Sequence, residues 1–205
     1  MKKILTIVWG CLFGLLMITA CNSAVGESTP TSVPSSTPLV VTGNKSLPTP
    51  MPPSQVVVYD DLQVVMKEAE ITSSYLTEYG SERNPPAGTN IVWIHILLKN
   101  IGQGEQNLPA SEHFSVLNGT MEFKPTYGHR KDHVDYMALT PTLVQGQEVD
   151  AWLRFDISAA LELKDLMFAF LPETSQVSFG FSSGDYPWGD HPVYLWTCAA
   201  IAGNQ

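Results

Sequence analysis

The chain has 205 residues with 44% hydrophobic character, and its 11 Lys and Arg against 20 Asp and Glu give a formal charge of −9. That balance excludes nucleic acid as a partner, because binding phosphate needs a basic face that releases counterions. It also disfavours electrostatic adhesion to anionic lipid.

Lys2 and Lys3 precede an uncharged apolar run from Ile4 to Ala20, which ends in Ile18-Thr19-Ala20-Cys21. A positive n-region, an apolar h-region and small residues before a cut are the parts of a secretory signal. The cysteine directly after Ala20 makes the four residues a lipobox, so residues 1–20 are predicted to be a lipoprotein signal peptide and Cys21 the lipidated N-terminus. The run is short of the roughly 20 apolar residues of a spanning helix. Two acyl chains on Cys21, each buried methylene contributing about 0.8 kcal/mol, hold a protein stably on a membrane. The expected location is therefore the cell membrane, lipid-anchored on its extracytoplasmic face. Removing residues 1–20 takes away two lysines and moves the charge from −9 to −11. Cys11 leaves with the signal and Cys21 carries lipid, so Cys198 stands alone and an intramolecular disulfide is excluded.

From Asn22 to Gln55, 19 of 34 residues are Pro, Ser or Thr, and none is aromatic. Such a stretch cannot bury enough apolar area to offset the entropy of ordering it, so 21–55 is predicted to be a disordered tether. The globular part, 56–205, opens with the β-branched runs Val56–Tyr59 and Leu62–Lys67. Ser73–Thr89 collects Gly and Pro and reads as a surface loop. Ile91–Leu98 is apolar on both faces except at His95, the pattern of a central strand. Phe114–Leu117 is a short strand, and Asn118-Gly119 is the dipeptide of a tight hairpin turn into Met121–Phe123. Residues 124–142 read as a long polar connection. In Val149–Asp156, Val149, Ala151, Leu153 and Phe155 alternate with Asp150, Trp152, Arg154 and Asp156, the mark of a half-exposed antiparallel strand. One helical turn within Ser158–Asp165, strands at Leu166–Leu171 and Val177–Phe181, and a last strand at Val193–Cys198 complete the pattern. About eight short strands without a long amphipathic helix predict an all-β sandwich.

Three features carry a resemblance: the apolar strand ending in Asn100-x-Gly102, Phe114-Ser115-Val116-Leu117 before an Asn-Gly turn, and Gln145-Gly146-Gln147 leading into a strand that ends Phe155-Asp156. Over roughly 56–181 the chain resembles a bacterial family of small immunoglobulin-like domains of unknown function. These domains occur on secreted proteins and lipoproteins and are similar in fold to a secreted mycobacterial antigen. The resemblance implies an immunoglobulin-like antiparallel β-sandwich and brings no catalytic residues with it. The tail from 182 and the 124–142 connection depart from the pattern.

Gly180-Phe181-Ser182-Ser183-Gly184 matches G-x-S-x-G, but Pro187, Gly189 and Pro192 forbid the helix that a nucleophile elbow needs. His129, His133 and Met137 are spaced by four and on a helix would line up two imidazoles and a thioether for a metal. His95 reads as a hydrogen-bonded interior histidine and Cys198 as a small buried hydrophobe. Tyr186, Trp188, Tyr194 and Trp196 put aromatic rings with polar handles in the tail, the composition of a contact surface. The expectation is a non-enzymatic binding or structural module of the cell envelope, needing no cofactor and partnered by the membrane through its lipid and by an envelope protein or glycan. The alternative is an envelope metal-binding protein using the 129–137 loop.

Overall fold

The computed structural model describes residues 48–119, 121–173 and 191–199, together with the backbone of Leu39–Val40. In chain order the strands are β1 (Leu39–Val40), β2 (Val56–Tyr59), β3 (Leu62–Thr72), β4 (Tyr75–Leu76), β5 (Glu82–Arg83), β6 (Thr89–Asn100) and β7 (Gln106–Asn107). They continue with β8 (Phe114–Asn118), β9 (Met121–Phe123), β10 (Pro125–Thr126), β11 (Thr142–Leu143), β12 (Glu148–Ser158), β13 (Met167–Phe170) and β14 (Tyr194–Thr197). Among the described residues, helix is confined to three single 3-10 turns, and no helix is long and apolar enough to cross a membrane.

Two five-stranded sheets, ordered β1-β9-β8-β13-β14 and β10-β12-β6-β3-β2, pack face to face. All their pairings are antiparallel, so the fold is an antiparallel β-sandwich. The inner faces supply one core: Val92, Ile94, Ile96 and Leu98 of β6 and Ala151, Leu153, Phe155 and Ile157 of β12 meet Phe114, Val116, Phe168, Phe170 and Trp196. Phe155 and Phe168 touch edge to face across the two sheets at 6.4 Å. As expected, β6 is central, paired over its full length with β12 and β3.

The phase of β3 changes part-way along. Leu62, Val64 and Met66 point inward, a bulge at Lys67 interrupts the register between Met66 and Glu68, and thereafter Ala69 and Ile71 point inward. A bulge inserts one residue against its partner strand, and because side chains alternate with period two, it exchanges the two faces. Glu68, Glu70 and Thr72 are thereby turned outward, opposite His95, Trp93 and Ile91.

Several expectations are corrected. The hairpin between β8 and β9 pairs Asn118 with Met121, so Asn118 still belongs to the strand and the turn begins after it. Gly119 takes a φ of +56°, a left-handed conformation that glycine enters without a Cβ penalty. The segment read as a tether contributes structure: β1 pairs with β9, Met51 exchanges backbone hydrogen bonds with Leu195 and Thr197, and Ser54 N–H donates to Met66. The loop read over Ser73–Thr89 contains the β4–β5 hairpin. The strand expected at Val177–Phe181 and the G-x-S-x-G segment lie outside the described residues.

Candidate functional site

The outer face of the β3-β6-β12 sheet is polar and aromatic, and β3, β6 and β12 place its side chains in rows. Glu68, His95 and Trp152 form one row, and Glu70, Trp93 and Arg154 the next. Nδ1 of His95 lies 3.1 Å from Glu68 Oε1, and its Nε2 contacts Asp150, which also receives Lys67 Nζ at 2.9 Å. Carboxylates only accept, so each His95 contact needs the ring nitrogen to carry its hydrogen. Burial raises the Asp150 pKa, but the hydrogen bonds from Lys67 and His95 outweigh it, and the carboxyl sits below its ordinary range.

Residues 127–138 lie across this face, which is why a strand apolar on both sides is not a second core. Trp152 N–H donates to Val134 O at 2.8 Å, and Asp135 bridges to Trp152. The Trp152 ring is sandwiched between two imidazoles, His95 at 4.3 Å and His133 at 3.9 Å, both nearly parallel to it. His133 in turn stands edge-on to Trp93 at 5.2 Å, and Trp93 edge-on to Tyr75 at 5.2 Å. Arg130 covers the Trp93 ring at 5.6 Å while pairing with Glu70 and Asp132, and Trp93 Nε1 donates to Thr72 Oγ1 at 3.1 Å. Aromatic pairs in edge and offset geometries are each worth about 0.5–1.5 kcal/mol beyond area burial, so the connection is fixed to the sheet by several such contacts.

The metal expectation does not survive this geometry. Residues 129–137 form turns and part of a 3-10 turn instead of a helix, so the spacing of four does not align their side chains. His133 is held between Trp152 and Glu70, His129 faces Asp135 at 3.3 Å, and Met137 is 43% exposed with its backbone N–H capped by Asp135. Among the described residues no three His, Cys, Asp or Glu converge on a metal position.

At one end of the rows the connection leaves an open cleft of about 360 Å³ against the β4–β5 hairpin. Tyr75, Thr77, Glu78, Tyr79, Ser81 and Arg83 form one wall, and Tyr127, Gly128 and His129 the other. The hairpin turn is closed by Thr77 N–H to Ser81 O and Gly80 N–H to Thr77 O, both at 2.9 Å. The facing wall is tied down by Lys131 N–H to Leu76 O at 2.9 Å and by Arg154 Nη1 to Tyr127 O at 2.7 Å. A Cβ at position 128 would stand 2.7 Å from Arg154 Cδ and 3.1 Å from Tyr75 Oη, so any larger residue there would have to displace the Arg154 side chain. Tyr79 is 86% and Tyr127 62% exposed, rings held in solvent on a tied backbone.

The sequence reading missed this cleft. A partial signal was present, since Tyr79 and Tyr127 stand in stretches without apolar periodicity, where a ring has no strand face to bury itself on. Of the tail aromatics, Trp196 is fully buried with Nε1 donating to Gln55 O at 2.9 Å, and the half-buried Tyr194 stacks on Phe170 at 6.0 Å. Trp196 therefore packs the core instead of facing a partner. Tyr186, Trp188 and Cys21 lie outside the described residues. Cys198 is buried, and burial pushes its thiol up to about 12, so it stays protonated at neutral pH and is no nucleophile.

No curated protein matches the sequence. Among solved structures, the chain is similar to the yjhA protein of Bacillus subtilis, at 14% identity and TM-score 0.48, covering 71% of this chain and 97% of that one. An uncharacterized β-sandwich protein of Clostridium difficile 630 is 11% identical with TM-score 0.43, covering 76% of this chain and 100% of that one. A "putative lipoprotein" of Bacillus subtilis, ycdA, is 15% identical with TM-score 0.43; 69% of this chain matches, spanning 38% of that protein's length. Residues 54–170, the segment that builds both the central sheet and the cleft, match a family model, and the chain belongs to that family, described as a domain of unknown function (DUF4352).

Proposed function

We propose that this protein is a lipid-anchored binding module of the cell envelope, fixed to the extracytoplasmic face of the membrane by acyl chains on Cys21. The observation that carries the binding role is the cleft, where Tyr79 and Tyr127 stand in solvent on walls linked by Lys131 N–H to Leu76 O and held by the Arg154 guanidinium on Tyr127 O. Exposed aromatic rings on a rigid support provide contact area at low entropic cost to a partner. The anchor rests on the sequence, in which Ile18-Thr19-Ala20-Cys21 follows a signal-like run and precedes a Pro/Ser/Thr-rich segment. We read the sandwich as immunoglobulin-like on the strand and turn pattern of 56–181, and the domain as a binder without chemistry of its own. Labelling cells with a tagged fatty acid tests the anchor: the parent band should take up label and Cys21→Ala should remain an unlabelled precursor. Equal labelling of the two would refute lipidation at this residue.

A further inference from the structure

We propose that the cleft between the β4–β5 hairpin and Tyr127–His129 is a saccharide-binding site, with pyranose rings laid against Tyr79 and Tyr127; the inference rests on the binding-module reading and names the ligand class for it. A pyranose has an apolar C–H face and a rim of hydroxyls that both donate and accept. It therefore needs an aromatic platform surrounded by donors and acceptors in one recess. The cleft holds both. Three of its nine lining residues are tyrosines, and the others include the hydroxyls of Thr77 and Ser81, the carboxylate of Glu78, the guanidinium of Arg83 and the imidazole of His129.

None of the nine residues is aliphatic, so the lining offers ring faces and hydrogen-bonding groups and no pocket for a branched apolar side chain. Charge narrows the choice further. The lining carries one carboxylate and one guanidinium, so a neutral sugar is favoured over an acidic one in a chain of net charge −9. At about 360 Å³ the cleft lies at the lower end of small-ligand sites, and its open form leaves a chain of sugars free to continue past both tyrosines. The hairpin turn is closed by its own backbone hydrogen bonds, Lys131 N–H donates to Leu76 O and Arg154 Nη1 holds Tyr127 O, which lowers the ordering cost of binding.

The test titrates full-length protein in detergent with three neutral tetrasaccharides, those of β-1,4-linked N-acetylglucosamine, β-1,4-linked glucose and α-1,4-linked glucose. Binding is read by calorimetry and by intrinsic fluorescence up to about 10 mM sugar, the weak end of the affinity scale. The expected result is saturable binding of at least one sugar, weakened about tenfold or more in Tyr79→Ala and in Tyr127→Ala, with melting temperatures equal to the parent. Sugar binding that both variants retain would overturn the assignment to this cleft. If no sugar binds but a tetrapeptide library binds and is lost in the same variants, the saccharide inference fails and the binding-module reading stands. Silence from sugars and peptides alike overturns the saccharide inference and removes the support for a binding role.

Discussion

The two faces of the β3-β6-β12 sheet use the same strands and different physics. On the inner face Val92, Ile94, Ile96 and Leu98 are fully buried against the second sheet, and what holds them is area removed from water, which depends little on direction. On the outer face His95, Trp93, Trp152, Glu68 and Glu70 meet their partners by stacking, edge contacts and hydrogen bonds, all of which depend on position and orientation. The inner face therefore supplies most of the stability, and the outer face decides where the 127–138 connection lies and so where the cleft opens. A fold that separates the two duties can change its cleft without disturbing its core.

The comparison breaks first at the core. Ile96→Ala should cost about 2–5 kcal/mol, because it removes buried methyls and leaves a cavity between close-packed sheets. Denaturant midpoints measure it, and a midpoint equal to the parent's would mean that the inner face does not hold the fold.

A smaller effect is expected on the other side. Trp152→Ala removes both imidazole stacks, worth about 1–3 kcal/mol at roughly 0.5–1.5 per aromatic pair, on top of the area that its half-buried ring loses. Its signature is local: amide exchange should rise across 127–138 ahead of β6 and β12. Uniformly faster exchange through the sheet would show that the two faces are not separable.

The smallest expected effect is electrostatic. The carboxyl of Asp150 is held below its ordinary range in the folded state. Its interactions with Lys67 and His95 thus contribute stability that is present above the unfolded value of about 3.9 and lost as pH falls below it. Asp150→Asn should melt slightly below the parent at pH 7, with the gap narrowing as the pH is brought below the unfolded value of about 3.9. Because Asp150 and Lys67 are each more than a third exposed, solvent screening keeps the gap small. A gap that widened on acidification would contradict the assignment.

Much of the sandwich was legible along the chain, and the failures have local causes. The alternation in Val149–Asp156 correctly named the inward Ala151, Leu153 and Phe155 and the outward Asp150, Trp152, Arg154 and Asp156, because a strand has only two faces. The apolar run at Ile91–Leu98 correctly named a central strand. It did not reveal that Trp93 is covered by Arg130, His133 and Tyr75 instead of a second core layer, since hydrophobicity reports burial and not what does the burying. Trp196 was read as a candidate contact residue because an aromatic with a polar handle suits a surface and a core equally well. Only its neighbours, Phe168 and the Gln55 carbonyl, distinguish the two.

The sequence by itself determined the class of fold, the centre of the sheet and the inward face of β12, because each follows from periodicity or composition along one stretch of chain. Only the tertiary structure decided the outer face. Pairing with β6 is what places a bulge at Lys67, moves the inward positions of β3 from Leu62, Val64 and Met66 to Ala69 and Ile71, and sets Glu68 against His95. The cleft lies further still from sequence reach. Tyr79 and Tyr127 belong to separate segments brought together by Lys131 bonded to Leu76, Arg154 bonded to Tyr127 and His133 stacked on Trp152, and contacts between distant segments leave no periodic trace in either one.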